Sequence, residues 1–191
     1  AAVKKSGRYK SCITYNDFRE LLSRTDIDAV MIATTDHWHA IQTIMAAQAG
    51  KDIYCEKPMA LTISQGRAMV DAVEKYQRVF QTGSHRRSIE RYRFGCELVR
   101  DGLIGTVHTV ETSVPTGPAM PLQPTQPVPD GFDYDLWLGP APWQPYSRHR
   151  CHNTFRYLSD YGGGMMTDLG AHFLDIAQWG LNMDHTGPVR I

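Results

Sequence analysis

The stretch Ile27–Thr35 (IDAVMIATT) constrains this chain most. It is a continuous apolar, β-rich run with no polar alternation. Such a run reads as a strand buried on both faces, as in a parallel sheet. A parallel strand needs helices around it, and the neighbouring segments supply them. Tyr15–Arg24 (YNDFRELLSR) predicts a helix, with Asn16 or Asp17 as cap and Phe18, Leu21 and Leu22 inward. His39–Ala49 predicts a second helix that stops at Gly50. Asp52–Cys55 predicts a second strand. Ser64–Tyr76 is amphipathic, with Ala68, Met69, Ala72, Val73 and Tyr76 at helical spacing. Val79–Thr82 predicts a third strand. The order α-β-α-β-α-β implies right-handed crossovers and a parallel sheet. Ligands in such sheets sit beyond the carboxyl ends of the strands. The loops Thr34–His39, Glu56–Met59 and Gly83–Arg87 are therefore the ones to watch.

The second part reads differently. Ile89–Asp101 predicts a helix closed by Gly102, and Thr106–Ser113 (TVHTVETS) alternates like a strand with one solvated face. Nine of the eleven prolines then fall between Pro115 and Pro145, which predicts a long irregular excursion. Three glycines, Gly162–Gly164, precede a helix over Met165–Trp179, with Met166, Leu169, Phe173, Ile176 and Ala177 inward. Pro188–Ile191 reads as the start of another strand. The expected division is one domain over 1–86 and a second over 87–191, with the excursion at 115–150.

Composition narrows the function classes. Twenty basic residues balance twenty acidic ones, so no general electrostatic attraction to nucleic acid or to an anionic membrane is expected. No apolar run approaches the ~20 residues of a spanning helix. Four scattered cysteines, with no CxxC pair, read as reduced thiols rather than a zinc site or staples.

Three clusters could carry chemistry. Thr34-Thr35-Asp36-His37-Trp38-His39 leaves a strand and opens a helix, whose free N–H groups suit a phosphate or a sugar hydroxyl. Plain helix capping with surface histidines explains the same residues, and His37-x-His39 also has the spacing of a metal pair. Glu56-Lys57-Pro58 leaves the next strand, where a lysine can orient or protonate a substrate oxygen; it is also an ordinary strand exit. Asp168, His172 and Asp175 share one helical face, where a carboxylate can orient an imidazole for proton transfer. A polar face with one ion pair is the bland reading. Arg86, Arg87 and Arg156 are candidate anion or hydroxyl contacts. Trp137, Trp143 and Tyr146 either stack on a sugar or anchor a loop.

Taken together, Asp28–His39, Gly50–Pro58 and Gly163 through Asp175 resemble the glucose–fructose oxidoreductase / inositol dehydrogenase / rhizopine-catabolism (Gfo/Idh/MocA) family, in order and spacing over nearly the whole chain. The motif Asp135-Leu136-Trp137-Leu138-Gly139-Pro140 is similar to a subgroup of exported oxidoreductases of unassigned substrate. The resemblance implies an α/β fold: an incomplete Rossmann-like parallel sheet, then part of an α+β domain with an open, mainly antiparallel sheet. It implies NAD or NADP as cofactor and a sugar, cyclitol or related polyol as substrate. A secondary hydroxyl would pass its hydride to the nicotinamide. Lys57, Asp168 and His172 would be the catalytic set, with His172 as general acid/base. Thr34, Thr35, Asp36, His37, His39, Glu56, Lys57 and Pro58 would line the cofactor, and Arg86, Arg156, Asp168 and His172 the substrate. No metal is implied. The family's glycine-rich loop, G-x-G-x-x-G, does not occur in residues 1–30. The expectation is thus an internal piece of a protein about twice as long, one that binds dinucleotide weakly and exposes sheet edges. The whole protein is expected to be a homo-oligomer, cytoplasmic or exported.

Three other readings compete. An enzyme that retains NAD and cleaves glycosides by transient oxidation uses the same residues. A metal-dependent hydrolase would use His37, His39, Lys57, His172 and Asp175. A non-catalytic cofactor-binding homologue fits less well, because Lys57, Asp168 and His172 occur together.

Overall fold

The computed structural model describes residues 12–121, 123–187 and 189–190. The first half alternates as the sequence implies: α1 (Phe18–Leu22), β1 (Ala29–Ile32), α2 (Asp36–Gln48), β2 (Asp52–Glu56), α3 (Ile63–Lys75) and β3 (Phe80–Gly83). The Asp17 carboxylate caps α1 by accepting from the Arg19 N–H. At α3, Thr62 and Gln65 form a reciprocal capping box. Gly50 ends α2 with a φ of +74°, a conformation that costs glycine nothing.

The three strands are parallel, in the order β1-β2-β3, with Ile32 beside Cys55 and Cys55 beside Thr82. Ile32, Ile53 and Cys55 meet Ala46 and Ala47 of α2 and Ala72 of α3 in one apolar core, with Leu22 of α1. Lys51 is buried and donates its ammonium to the Arg24 and Ile27 carbonyls, at 2.6 and 2.9 Å. It thereby ties the end of α1 to the start of β2. One expectation needs correction. β1 is buried on one face only, and Met31 is 67% exposed. Successive strand residues point to opposite faces. Helices α2 and α3 pack on each other and on the same core, so among the described residues nothing covers the face that carries Met31.

In the second half a 3₁₀ turn, His85–Ser88, leads into α4 (Glu90–Arg100). The alternating segment Thr106–Ser113 forms no strand, because no described neighbour pairs with it. The proline-rich excursion is not wholly irregular. Between Pro129 and Pro140 no proline intervenes, and there the chain forms α5 (Tyr134–Leu138), capped by Asp133. Tyr134, Leu138, Tyr146, Cys151, Phe155 and Tyr161 build a second core around it. The expected helix over Met165–Trp179 opens with a π-turn, Met166–Gly170, before α6 (Ala171–Gly180), which packs on α4. The strand expected at Pro188–Ile191 lies largely outside the described residues. All four cysteines are free thiols. No described helix is long and apolar enough to cross a membrane.

Candidate active site

The strand exits and the second half enclose a cleft of about 850 Å³. One wall is Thr34–Asp36 and Glu56–Pro58, from the ends of β1 and β2. The facing wall is Asp133, Leu136 and Trp137 of the excursion, His152–Arg156, and Asp168 of the π-turn.

Lys57 crosses between the walls. Its ammonium donates to the Asp168 carboxylate at 2.5 Å and to the Asp168 carbonyl at 2.8 Å. The other carboxylate oxygen of Asp168 is 3.6 Å from Arg156, whose guanidinium also donates to the Asn153 side-chain and backbone oxygens at 2.7 and 3.2 Å. Asp168 is thus held by two cations from two different segments. The π-turn that carries it is the kind of helix irregularity that recurs at functional sites. Glu56 accepts from the Lys57 N–H. Gly83 lies directly behind it: a Cβ there would come within 2.9 Å of the Glu56 carboxylate. Asp36, 7% exposed, opens α2, and burial raises its carboxyl above the usual range against the pull of His39, Arg156 and Lys57. Thr35 makes no side-chain cap at the α2 N-terminus. The first-turn N–H groups are left to other partners.

The histidines of the first cluster do not line the cleft. His37 is 2% exposed and packs edge-on against Trp137 and beside Tyr161, with Nε2 3.0 Å from the Trp137 carbonyl. Burial lowers its pKa. His39 is 1% exposed, and its two ring nitrogens face the Pro58 and Thr34 carbonyls at 2.7 and 3.2 Å. Both imidazoles, expected along the cofactor, lie off the cleft lining and face backbone carbonyls, and the buried His37 Nδ1 has no hydrogen-bond partner among the described residues. The metal-hydrolase set is not assembled. Among the described residues no three His, Cys, Asp or Glu side chains gather as metal ligands. Trp38 does line the cleft and docks the excursion: its indole N–H donates to the Leu136 and Trp137 carbonyls, both at 3.1 Å.

The single face expected for Asp168, His172 and Asp175 is resolved into three environments. Asp168 meets Lys57. His172, 5% exposed, packs edge-on against His85 with ring centroids 4.6 Å apart. It is not part of the cleft lining, and its ring nitrogens make no hydrogen bond to a described residue. Burial lowers its pKa, and the charges of Lys57, His85 and Arg86 add to that. Asp175 pairs with Arg87, which also holds Asp184. Arg86 lies over the Phe173 ring rather than in the cleft. Of the three aromatics, Trp137 lines the cleft, Tyr146 is buried in the second core and Trp143 is exposed. Sequence reasoning did not single out His152 and Asn153. No spacing marks them; His152 stands out only by a φ of +55°, unusual for a residue with a side chain.

Two family models match. Residues 2–84 match the oxidoreductase family's NAD-binding Rossmann fold, and residues 98–191 match its C-terminal alpha/beta domain. The chain belongs to this oxidoreductase family, which is the Gfo/Idh/MocA family, and its cofactor class is NAD(P). Among the relatives, the 1,5-anhydro-D-fructose reductase of Ensifer adhaerens is 38% identical over 86 residues, 45% of this chain and 26% of its own. The levoglucosan dehydrogenase of Pseudarthrobacter phenanthrenivorans is 37% identical over 92 residues, 48% of this chain and 24% of its own. An oxidoreductase domain protein of Kribbella flavida superposes with a TM-score of 0.63 at 29% identity, over 87% of this chain and 38% of that one. The match spans about a quarter of the length of these curated relatives.

Proposed function

We propose that the cleft is the reacting end of a nicotinamide-dependent dehydrogenase for a secondary hydroxyl of a sugar, cyclitol or related polyol. The observation that carries this reading is Lys57. Its ammonium is fixed by Asp168 at the carboxyl ends of the parallel strands, where such folds bind dinucleotides. The residues present fit the nicotinamide end of that cofactor. The α2 N-terminus, which Thr35 does not cap, opens on the cleft beside Lys57, and glycine at position 83 lets Glu56 pack close against it. The glycine-rich phosphate loop is not among them.

When bound, the nicotinamide accepts or returns the hydride. The chain's own residues hold the alcohol and move its proton. Lys57 donates a hydrogen bond to the reacting oxygen and favours the developing alkoxide. Asp168 fixes the direction of that ammonium, and Arg156 fixes Asp168. His172 stands one turn beyond Asp168. It is buried just behind the cleft lining against His85, and its lowered pKa favours the neutral ring that a proton acceptor for the hydroxyl requires. Two of the relatives above are named 1,5-anhydro-D-fructose reductase and levoglucosan dehydrogenase, which favours a sugar-like substrate here.

The test is nicotinamide absorbance with a panel of sugars and cyclitols, on the whole polypeptide that contains this sequence. Lys57→Ala and His172→Ala should each lower turnover roughly 10²–10⁴-fold. Near-normal turnover in both variants refutes the assignment. Release of an aglycone without net NADH would move the reading to redox-neutral glycoside cleavage.

A further inference from the structure

We propose that His39 is a positioning residue that sets the place of Lys57 by clamping the two strand-exit loops together. The proposal deepens the dehydrogenase reading and rests on it for its meaning, but its geometry does not. His39 lies in the first turns of α2, where it is almost wholly buried. Its Nδ1 is 2.7 Å from the Pro58 carbonyl, and its Nε2 is 3.2 Å from the Thr34 carbonyl. Thr34 ends the exit from β1. Pro58 is the residue after Lys57 in the exit from β2. No side chain of that second loop other than Lys57 reaches across to Asp168.

A carbonyl only accepts, so the shorter contact requires the ring proton on Nδ1. With the proton there, helix α2 holds the peptide next to Lys57 directly. Nε2 is then unprotonated and only packs against the Thr34 carbonyl at 3.2 Å, so the Nδ1 bond from α2, which continues the β1 exit, is the tie between the two loops. A ring that merely filled the core would not need Nδ1 protonated, and free imidazole does not favour that tautomer. Pro58 follows Lys57 directly in the chain, so its carbonyl is suited to such control, because a displacement of about 1 Å at a reacting group costs on the order of 10²-fold in rate.

Two measurements test this without cofactor or substrate, so their failure is separate from a failure of the dehydrogenase reading. The first is the pair of ring ¹⁵N shifts of His39 in the unmodified chain. A protonated Nδ1 is expected; a bare Nδ1 overturns the clamp. The second is His39→Phe, which keeps the ring volume and removes the donor. Acetic anhydride labelling read by mass spectrometry should then find Lys57 about fivefold more reactive relative to Lys75, the change expected from one lost hydrogen bond. Unchanged Lys57 reactivity in a folded variant overturns the proposal. If the variant does not fold, the ring shifts of the unmodified chain decide alone.

Discussion

Gly139 is where the excursion meets the sheet-bearing half, and replacing it with alanine isolates that junction. Its φ of +50° and ψ of −116° suit glycine and strain any other residue. A Cβ at this position would lie 2.0 and 2.2 Å from the Trp38 ring. The indole must move, and it is not free to. Its N–H serves the Leu136 and Trp137 carbonyls, and its ring packs edge-on against Phe18 at 5.5 Å. The backbone conformation costs about 1–3 kcal/mol. Losing the shared indole hydrogen bond costs about 1 kcal/mol. Losing the aromatic contact costs about another 1 kcal/mol. Gly139→Ala should therefore destabilise by about 3 kcal/mol or more. Gly131 provides the control: its φ is +76°, but a Cβ there meets nothing within 4 Å. Gly131→Ala should cost about 1 kcal/mol, the backbone term alone. Urea unfolding followed by tryptophan fluorescence reads both. In a Trp38→Leu background the excess cost of Gly139→Ala should largely vanish, a coupling of about 2 kcal/mol. Equal midpoints for Gly139→Ala and Gly131→Ala would refute the account of the junction.

Three further outcomes follow from the same structure. Gly83→Ala puts a Cβ 2.9 Å from the Glu56 carboxylate and 3.0 Å from its Cα, so thermal melting should report a loss of about 1–3 kcal/mol. Stability should fall as pH drops below about 6.5, because burial lowers the pKa of His37 and His172 and the unfolded chain takes up those protons first. The loss ends once pH passes the folded values, Asp36 acts in the opposite sense at lower pH because its folded pKa is raised, and His37→Gln should flatten the slope near pH 6. A thiol-specific disulfide reagent should label Cys12 quickly and the buried Cys55, Cys96 and Cys151 only after unfolding, since burial pushes the Cys55 and Cys151 thiols up to about 11; fast labelling of all four in the native chain would contradict the two buried cores.

The alternation of helices and strands was legible because hydrophobic period and capping residues are local. Asp17, Thr62 and Gly50 mark their helix ends by chemistry that acts within a few residues. Lys57 was legible as a candidate because it leaves a strand, and Asp168 because it shares a helical spacing with His172 and Asp175. What was not legible depends on partners far away in sequence. His37 and His39 read as cofactor-lining or surface helix-opening residues until the Trp137 carbonyl and the Pro58 carbonyl are found against them. Met31 reads as core because a continuous apolar run looks the same whether one face of the sheet is covered or both. Arg86 and Asp175 read as site residues until Phe173 and Arg87 take them up.

The π-turn explains why the Asp168–His172–Asp175 spacing misled in detail and yet marked the right helix. An α-helix would stack positions four apart along one stripe. The wider turn over Met166–Gly170 adds an offset within that stripe. Its small residues permit this: a Cβ on Gly163 would meet the Thr167 side chain at 2.3 Å, and one on Gly170 the Met166 sulfur at 2.8 Å. Asp168 is left aimed at Lys57 across the cleft, while His172 and Asp175 turn toward the 3₁₀ segment that follows β3. One helix thus braces Lys57 and also ties down the loop after the third strand, so the two walls of the cleft and the segment behind them are held by the same element.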